Sequence, residues 1–108
     1  MKIQSIHDFE EWFQVLQTTN RSQVAMMELA PGKATGDEAE SHEKSDQVLL
    51  VISGSVEGEV GEQQVLLAEG QFLIIPAGTK HRFVNKSEDA VLTFNVYAPA
   101  AYPPDAKG

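Results

Sequence analysis

The chain has 108 residues, room for one domain around one modest core, and an apolar fraction of 42% that argues against disorder along its whole length. Eight basic residues stand against 16 acidic ones, a formal net charge of −8, and no run of Lys or Arg offers clustered cations, which disfavours nucleic acid and anionic membrane surfaces as partners. Cysteine is absent, so disulfides, thiolate zinc sites and Cys nucleophiles are excluded, and a metal must be held by imidazole nitrogen and carboxylate or amide oxygen.

The opening MKIQSIHDFEEWF carries acids by residue 8 and has no long apolar stretch, so it does not read as a signal peptide. No window is apolar enough over the length needed to cross a bilayer, and a soluble cytoplasmic protein is the expectation. Residues 1–22 read as a segment apart. Ser5 is placed to cap a short helix with Asp8 reaching back to it, and Phe9, Trp12, Phe13 and Leu16 recur at helical spacing. A short helical or irregular segment is expected there, its aromatic stripe packed on the main domain or on a partner subunit. His7, within it, is expected at the surface.

From residue 23 the pattern changes to short β-runs broken by turn residues. Strands are predicted near 23–29, 46–52, 55–60, 64–68, 71–75, 80–85 and 90–97. Pro31-Gly32, Ser53-Gly54, Gly61, Glu69-Gly70, Pro76-Ala77-Gly78 and the polar run Lys86 to Asp89 separate them. Strands in series with brief connections and no intervening helix predict an all-β antiparallel sandwich or barrel over residues 23–98. The run 46–52 is apolar on both faces, with Leu49 and Val51 on one and Val48, Leu50 and Ile52 on the other. An outer face of that kind needs a cover, and a homodimer supplies the simplest one.

Two irregular stretches remain. Lys33 to Asp46 is a long polar segment inside an otherwise compact β pattern, where function often sits. Residues 99–108 form a Pro-rich tail, expected to be extended and to lie on the surface.

Among the three histidines, His81 stands in the stretch GQFLIIPAGTKHRFVN, Gly70 to Asn85. Gly70 turns the chain into an apolar strand, Pro76 and Gly78 shape a turn, and His81 opens the next strand on the same face as Phe83 and Asn85. An imidazole beside an aromatic side chain inside a barrel is either a hydrogen-bonded core group or a ligand. The spacing of Gly70, Pro76, Gly78, His81 and Asn85 resembles the second motif of the cupin superfamily at every fixed position. That resemblance implies a double-stranded β-helix of jelly-roll type, a common homodimeric state, and a metal-ligand role for His81.

The first cupin motif is matched in part. Counting back from Gly54, Gln47 takes the place of the usual glutamate, His42 that of the second histidine and Glu40 that of the first. A competing alignment starts from Gly36, makes His42 the first histidine and puts Lys44 in a ligand position, where an ammonium cannot coordinate. By resemblance, the preferred set is Glu40, His42, Gln47 and His81, around one divalent transition metal, with Fe, Mn, Zn, Ni and Cu all compatible. Gln47 brings only a neutral amide oxygen, and it serves either as a ligand or as a hydrogen-bonding neighbour of one.

The resemblance implies chemistry on a small organic molecule of oxygenase, isomerase or lyase type. The alternative is a module that binds or senses a ligand or metal without turnover, and the Lys44 alignment would leave a structural dimer with a degenerate site. Apart from the ligand set, Tyr97, Asn85 and Arg82 are the candidates for acid–base work. Neither a phosphate loop nor a nucleophile elbow is present.

Overall fold

Period-two alternation becomes a strand at nearly every place where the chain shows it. The computed structural model, which describes residues 1–108, contains eight strands and no helix. They are β1 (Phe13–Thr18), β2 (Gln23–Leu29), β3 (Asp46–Ser53), β4 (Ser55–Val60), β5 (Gln63–Ala68), β6 (Phe72–Ile75), β7 (His81–Val84) and β8 (Val91–Ala98). Every pairing is antiparallel. One sheet has five strands in the order β1-β2-β8-β3-β6, and the other has three in the order β5-β4-β7.

The sheets meet over a shared core. Met27, Leu29, Leu49, Val51 and Val91 come from the larger sheet and Val56, Leu67 and Phe83 from the smaller, all of them buried in one cluster. Alternation places Ala25 and Met27 of β2 inward and Met26 outward, and β3 likewise turns Gln47, Leu49 and Val51 inward.

The expected helix near the N-terminus does not form. Ser5 N–H donates to Asp8 Oδ2 at 3.0 Å, so Asp8 reaches back as expected. The Ser5 hydroxyl, however, accepts from His7 N–H at 3.1 Å, Asp8 N–H closes on the Ser5 carbonyl at 3.1 Å, and only a single turn follows. The aromatic spacing is instead taken up by β1, whose Phe13 and Val15 pair with Met27 and Ala25 of β2. Val15 becomes buried, and pairing with an open sheet edge satisfies backbone groups that a short isolated helix cannot stabilise in water. His7 is exposed.

The polar segment 33–46 is not a free loop. Ala34 bridges Val84 and Glu40 bridges His81, so the segment runs along the edge of β7 that β4 leaves open. Thr35 N–H donates to the Phe83 carbonyl at 2.9 Å, and Arg82 Nε donates to the Gly36 carbonyl at 2.7 Å. No helix is long and apolar enough to cross a membrane.

The middle of the outer face of β3, β6 and β8 is apolar. Val48 lies opposite Ile74 and Leu50 opposite Phe72, with Val96 and Phe94 on the other side of β3. Toward β2 this face is covered, Met26 being fully buried, whereas Phe72 is 65% and Ile74 59% exposed at the β6 edge.

Two glycines are tied to this packing. Gly54 turns β3 into β4 at φ +85°, and a Cβ there would sit 2.7 Å from the Ala90 carbonyl oxygen. Gly58, in β4, lies under the Phe83 ring, where a Cβ would come within 2.5 Å of Cδ1. Gly58→Ala should therefore force the Phe83 ring out of place and cost about 1–3 kcal/mol, as overpacked cores do. Chemical denaturation of the variant measures this, and an unchanged midpoint would mean that the ring is free to move.

Candidate functional site

The two histidine-bearing stretches reach the same place because the backbone sews them together. Glu40 N–H donates to the His81 carbonyl at 3.0 Å, and His81 N–H donates to the Glu40 carbonyl at 2.8 Å. Two residues on, the His42 carbonyl accepts the Gly78 N–H at 2.9 Å, from the turn that leads into His81. The imidazole centroids of His42 and His81 are consequently 5.3 Å apart. His81 Nδ1 lies 3.0 Å from the Thr79 carbonyl. Nδ1 must carry a proton to make that bond, which makes Nε2 the nitrogen that bears the lone pair in the neutral ring.

Gln47 is the third member. It points inward from β3 and is only 4% exposed. Its Nε2 donates to Asn95 Oδ1 at 3.0 Å, Asn95 Nδ2 donates to Thr93 Oγ1 at 3.0 Å, and Thr93 Oγ1 donates to the Met27 carbonyl at 3.1 Å. This buried chain fixes the amide with its oxygen turned the other way, and Gln47 Oε1 has no hydrogen-bond partner. A buried acceptor left unpaired costs about 1–3 kcal/mol. The amide lies beside the His42 ring and favours its charged form without making a well-formed hydrogen bond.

Glu40, His42, Gln47 and His81 all line one cavity of about 240 Å³ between the sheets. The four are not equally placed. Glu40 is exposed at the rim, and no three His, Asp or Glu side chains converge closely enough to make a metal cluster by themselves. Two imidazoles and the amide of Gln47 line this cavity together, donor types that suit a divalent transition metal in kind. Lys44 is exposed and does not line the cavity, contrary to what the competing alignment requires.

Electrostatics within the cavity favour neutral groups. His42 is held below the usual imidazole range, first by burial and then by the neighbouring His81, against smaller opposing effects of Glu40 and Gln47. Burial pushes the Tyr97 phenol well above its ordinary value, with Tyr102 adding to the shift. The Tyr102 phenol is raised by burial, partly offset by hydrogen bonding with Tyr97. Both remain protonated donors at neutral pH.

Tyr102 comes from the Pro-rich tail, which lies on the surface as expected but is not loose. It crosses the mouth of the barrel as a strap. Gln23, 1% exposed in β2, clamps it: Nε2 donates to the Tyr102 carbonyl at 2.8 Å, while Oε1 accepts from Ala101 N–H at 3.1 Å and Tyr102 N–H at 3.0 Å. Beyond it, Val15 N–H donates to the Ala106 carbonyl at 2.9 Å, and Gly108 N–H donates to the Phe13 carbonyl at 2.8 Å. The Tyr102 ring packs on Phe13, Tyr97 and His42, with centroids at 4.8, 5.2 and 5.4 Å.

Sequence reasoning missed Tyr102, Gln23 and Asn95. No local pattern marks the first two, whose partners lie 79 residues apart. Asn95 did carry a signal. In VLTFNVY the polar Thr93, Asn95 and Tyr97 share the face that turns inward, while Leu92, Phe94 and Val96 turn outward. Of the three acid–base candidates, Tyr97 lines the cavity, Asn85 is spent on the Leu29 and Asp89 carbonyls, and Arg82 is spent on Gly36.

Gln23→Leu should free the strap, because two backbone N–H groups and one carbonyl lose their partners. Amide hydrogen exchange at Ala101 and Tyr102 is expected to quicken and stability to fall by about 1–3 kcal/mol. Unaltered exchange at both amides would show that the clamp is not what holds the segment.

Comparison with known proteins agrees with this architecture. The profile of a family described as cupin domain matches residues 25–97. Protein L612 of Acanthamoeba polyphaga mimivirus is 31% identical over 94 residues, which cover 83% of this chain and 58% of that protein, so this chain spans less than two thirds of that relative's length. The crystal structure of BH2720 from Bacillus halodurans superposes with a TM-score of 0.86 at 25% identity, covering 94% of this chain and 80% of the other. TT1209 from Thermus thermophilus superposes with a TM-score of 0.81 at 30% identity, covering 92% of this chain and 98% of the other.

Proposed function

Because this chain belongs to the cupin domain family, we propose that its cavity takes one divalent transition metal on His42, His81 and Gln47, with Glu40 at the rim, and acts there on a small organic molecule. The supporting observation is Gln47 Oε1, a buried acceptor without a partner in the same cavity as two imidazoles. A cation answers that oxygen's need directly. The lowered proton affinity of His42 favours the neutral imidazole that ligates, and the Nδ1 bond of His81 to the Thr79 carbonyl orients that ring with Nε2 as its remaining nitrogen.

Such an ion would supply Lewis-acid or oxygen-activating chemistry, the basis of oxygenase, isomerase and lyase reactions. The chain's own residues do the rest. Thr93 and Asn95 hold Gln47 in place, the Thr79 carbonyl orients His81, and Tyr97 and Tyr102 keep protons on their phenol oxygens as donors to a bound molecule. The strap narrows the mouth and limits water.

Protein purified without added metal should carry about one ion per chain, and His81→Ala should lose it, since removing one of three or four ligands leaves an incomplete site. Glu40→Ala should weaken binding, Lys44→Ala should leave it unchanged, and Gln47→Glu should tighten it by adding an anion beside the cation. Elemental analysis and metal titration measure these effects. An unchanged metal content in His81→Ala would end the assignment.

We propose also that two copies pair through the bare end of the larger sheet, where Leu50, Phe72 and Ile74 lie side by side. Large exposed apolar side chains in one cross-strand patch are the usual mark of an interface. Light scattering of a dilute solution should give twice the mass of one chain, and Phe72→Glu should return the mass of one. A single-chain mass for the parent protein would refute the pairing.

A further inference from the structure

The cavity differs on its two sides. Its wall is aromatic: Phe13 opens β1 with Trp12 just before it, Phe83 comes from β7, Tyr97 from β8 and Tyr102 from the strap. No two of the packed rings lie parallel, the interplanar angles being 54° for Phe13 with Tyr102 and 79° for Tyr97 with Tyr102. Tilted rings present both π faces and edges to a guest, the arrangement in which aromatic groups attract one another. Neither Lys nor Arg lines the cavity, and the charged side chains at its rim are Glu38 and Glu40. The nearby Arg82 is turned away onto the Gly36 carbonyl.

We infer that this cavity selects an uncharged, planar ring compound bearing hydroxyl or ring N–H groups, and that Tyr102, delivered by the strap, sets that preference. Among the chain's own side chains a phosphorylated or polycarboxylated molecule finds no cationic fork to receive it, and it meets two carboxylates at the entrance. An uncharged ring meets matching walls, with the Tyr102 ring as one face of the space and the Tyr97 phenol lining it as a group able to bond polar substituents. At about 240 Å³ the space lies below the usual range of drug-sized sites, about 300–1,000 Å³, so the guest is small.

The ring selectivity deepens the small-molecule part of the proposed function, and metal-free protein tests it separately from the metal. Trp12 is the only tryptophan in the chain and lines the cavity, so its indole N–H gives one isolated nuclear magnetic resonance signal that reports occupancy. In chelator-treated, nitrogen-15-labelled protein, phenol and indole should each shift that signal saturably, while oxalate and glucose 6-phosphate should not. Tyr102→Ala should weaken phenol binding about tenfold, and Tyr102→Phe, which keeps the ring, should hold it within about twofold. Tyr102→Leu, which keeps apolar bulk on the strap, should behave like the alanine variant, so that a misfolded alanine variant does not decide the matter. Oxalate binding as tightly as phenol, or folded Tyr102→Leu binding phenol as well as the parent, would overturn the inference. A metal-free parent protein would refute the metal reading and leave these outcomes untouched.

Discussion

The hydrogen-bonded pairing of Glu40 with His81 is the interaction on which the site depends. Residues 33–46 are polar and have no apolar face to bury, so burial alone gives them no fixed position. What they have is a backbone, and the smaller sheet leaves one side of β7 unpaired. Pairing there satisfies both partners, and the Gly78 N–H bond to His42 extends the seam to the next turn. A segment with little intrinsic order is thereby brought to one register, and that register points His42 toward His81. Loss of the seam would leave both imidazoles in the molecule but no longer in one cavity.

Polarity inside the barrel follows an inverted plan. β8 turns Thr93, Asn95 and Tyr97 inward and Leu92, Phe94 and Val96 outward, and β3 opens its inward face with Gln47. Buried amides are costly unless bonded, and here they bond one another in a line from the Met27 carbonyl to Gln47. The line stops one bond short. Its last acceptor, Gln47 Oε1, has no partner, and the amide that carries it lies beside His42. The outward apolar row is the other half of the plan, covered toward β2 and bare toward β6.

The strap acts at the opposite wall of the same space. It contributes few buried residues of its own, and its position is set by Gln23, a buried side chain that spends both ends of its amide on the strap backbone. That bonding turns Tyr102 inward against Phe13, Tyr97 and His42. The ring contact with His42 joins the strap to the histidine pair, so the shape of the mouth and the orientation of one imidazole are coupled through a single side chain.

The strands of the barrel were legible in the sequence, because alternation and turn residues act over a few neighbours and the physics that reads them is local. Residues 23–29 and 55–60 form strands at the predicted limits, and the other five runs differ by a residue at their ends. The Gly70-to-Asn85 spacing likewise pointed to the jelly-roll fold, and the His81 it singled out lines the cavity. β1 was hidden because Phe9, Trp12, Phe13 and Leu16 fit a helical period, and only the open edge of β2 made an extended chain the better choice. The placement of Glu40 at the rim, the unpaired oxygen of Gln47 and the inward turn of Tyr102 were decided by tertiary structure alone. Each depends on a partner far along the chain, Asn95 for Gln47 and Gln23 for Tyr102, and separation in sequence carries no trace of such bonds until the sheets close.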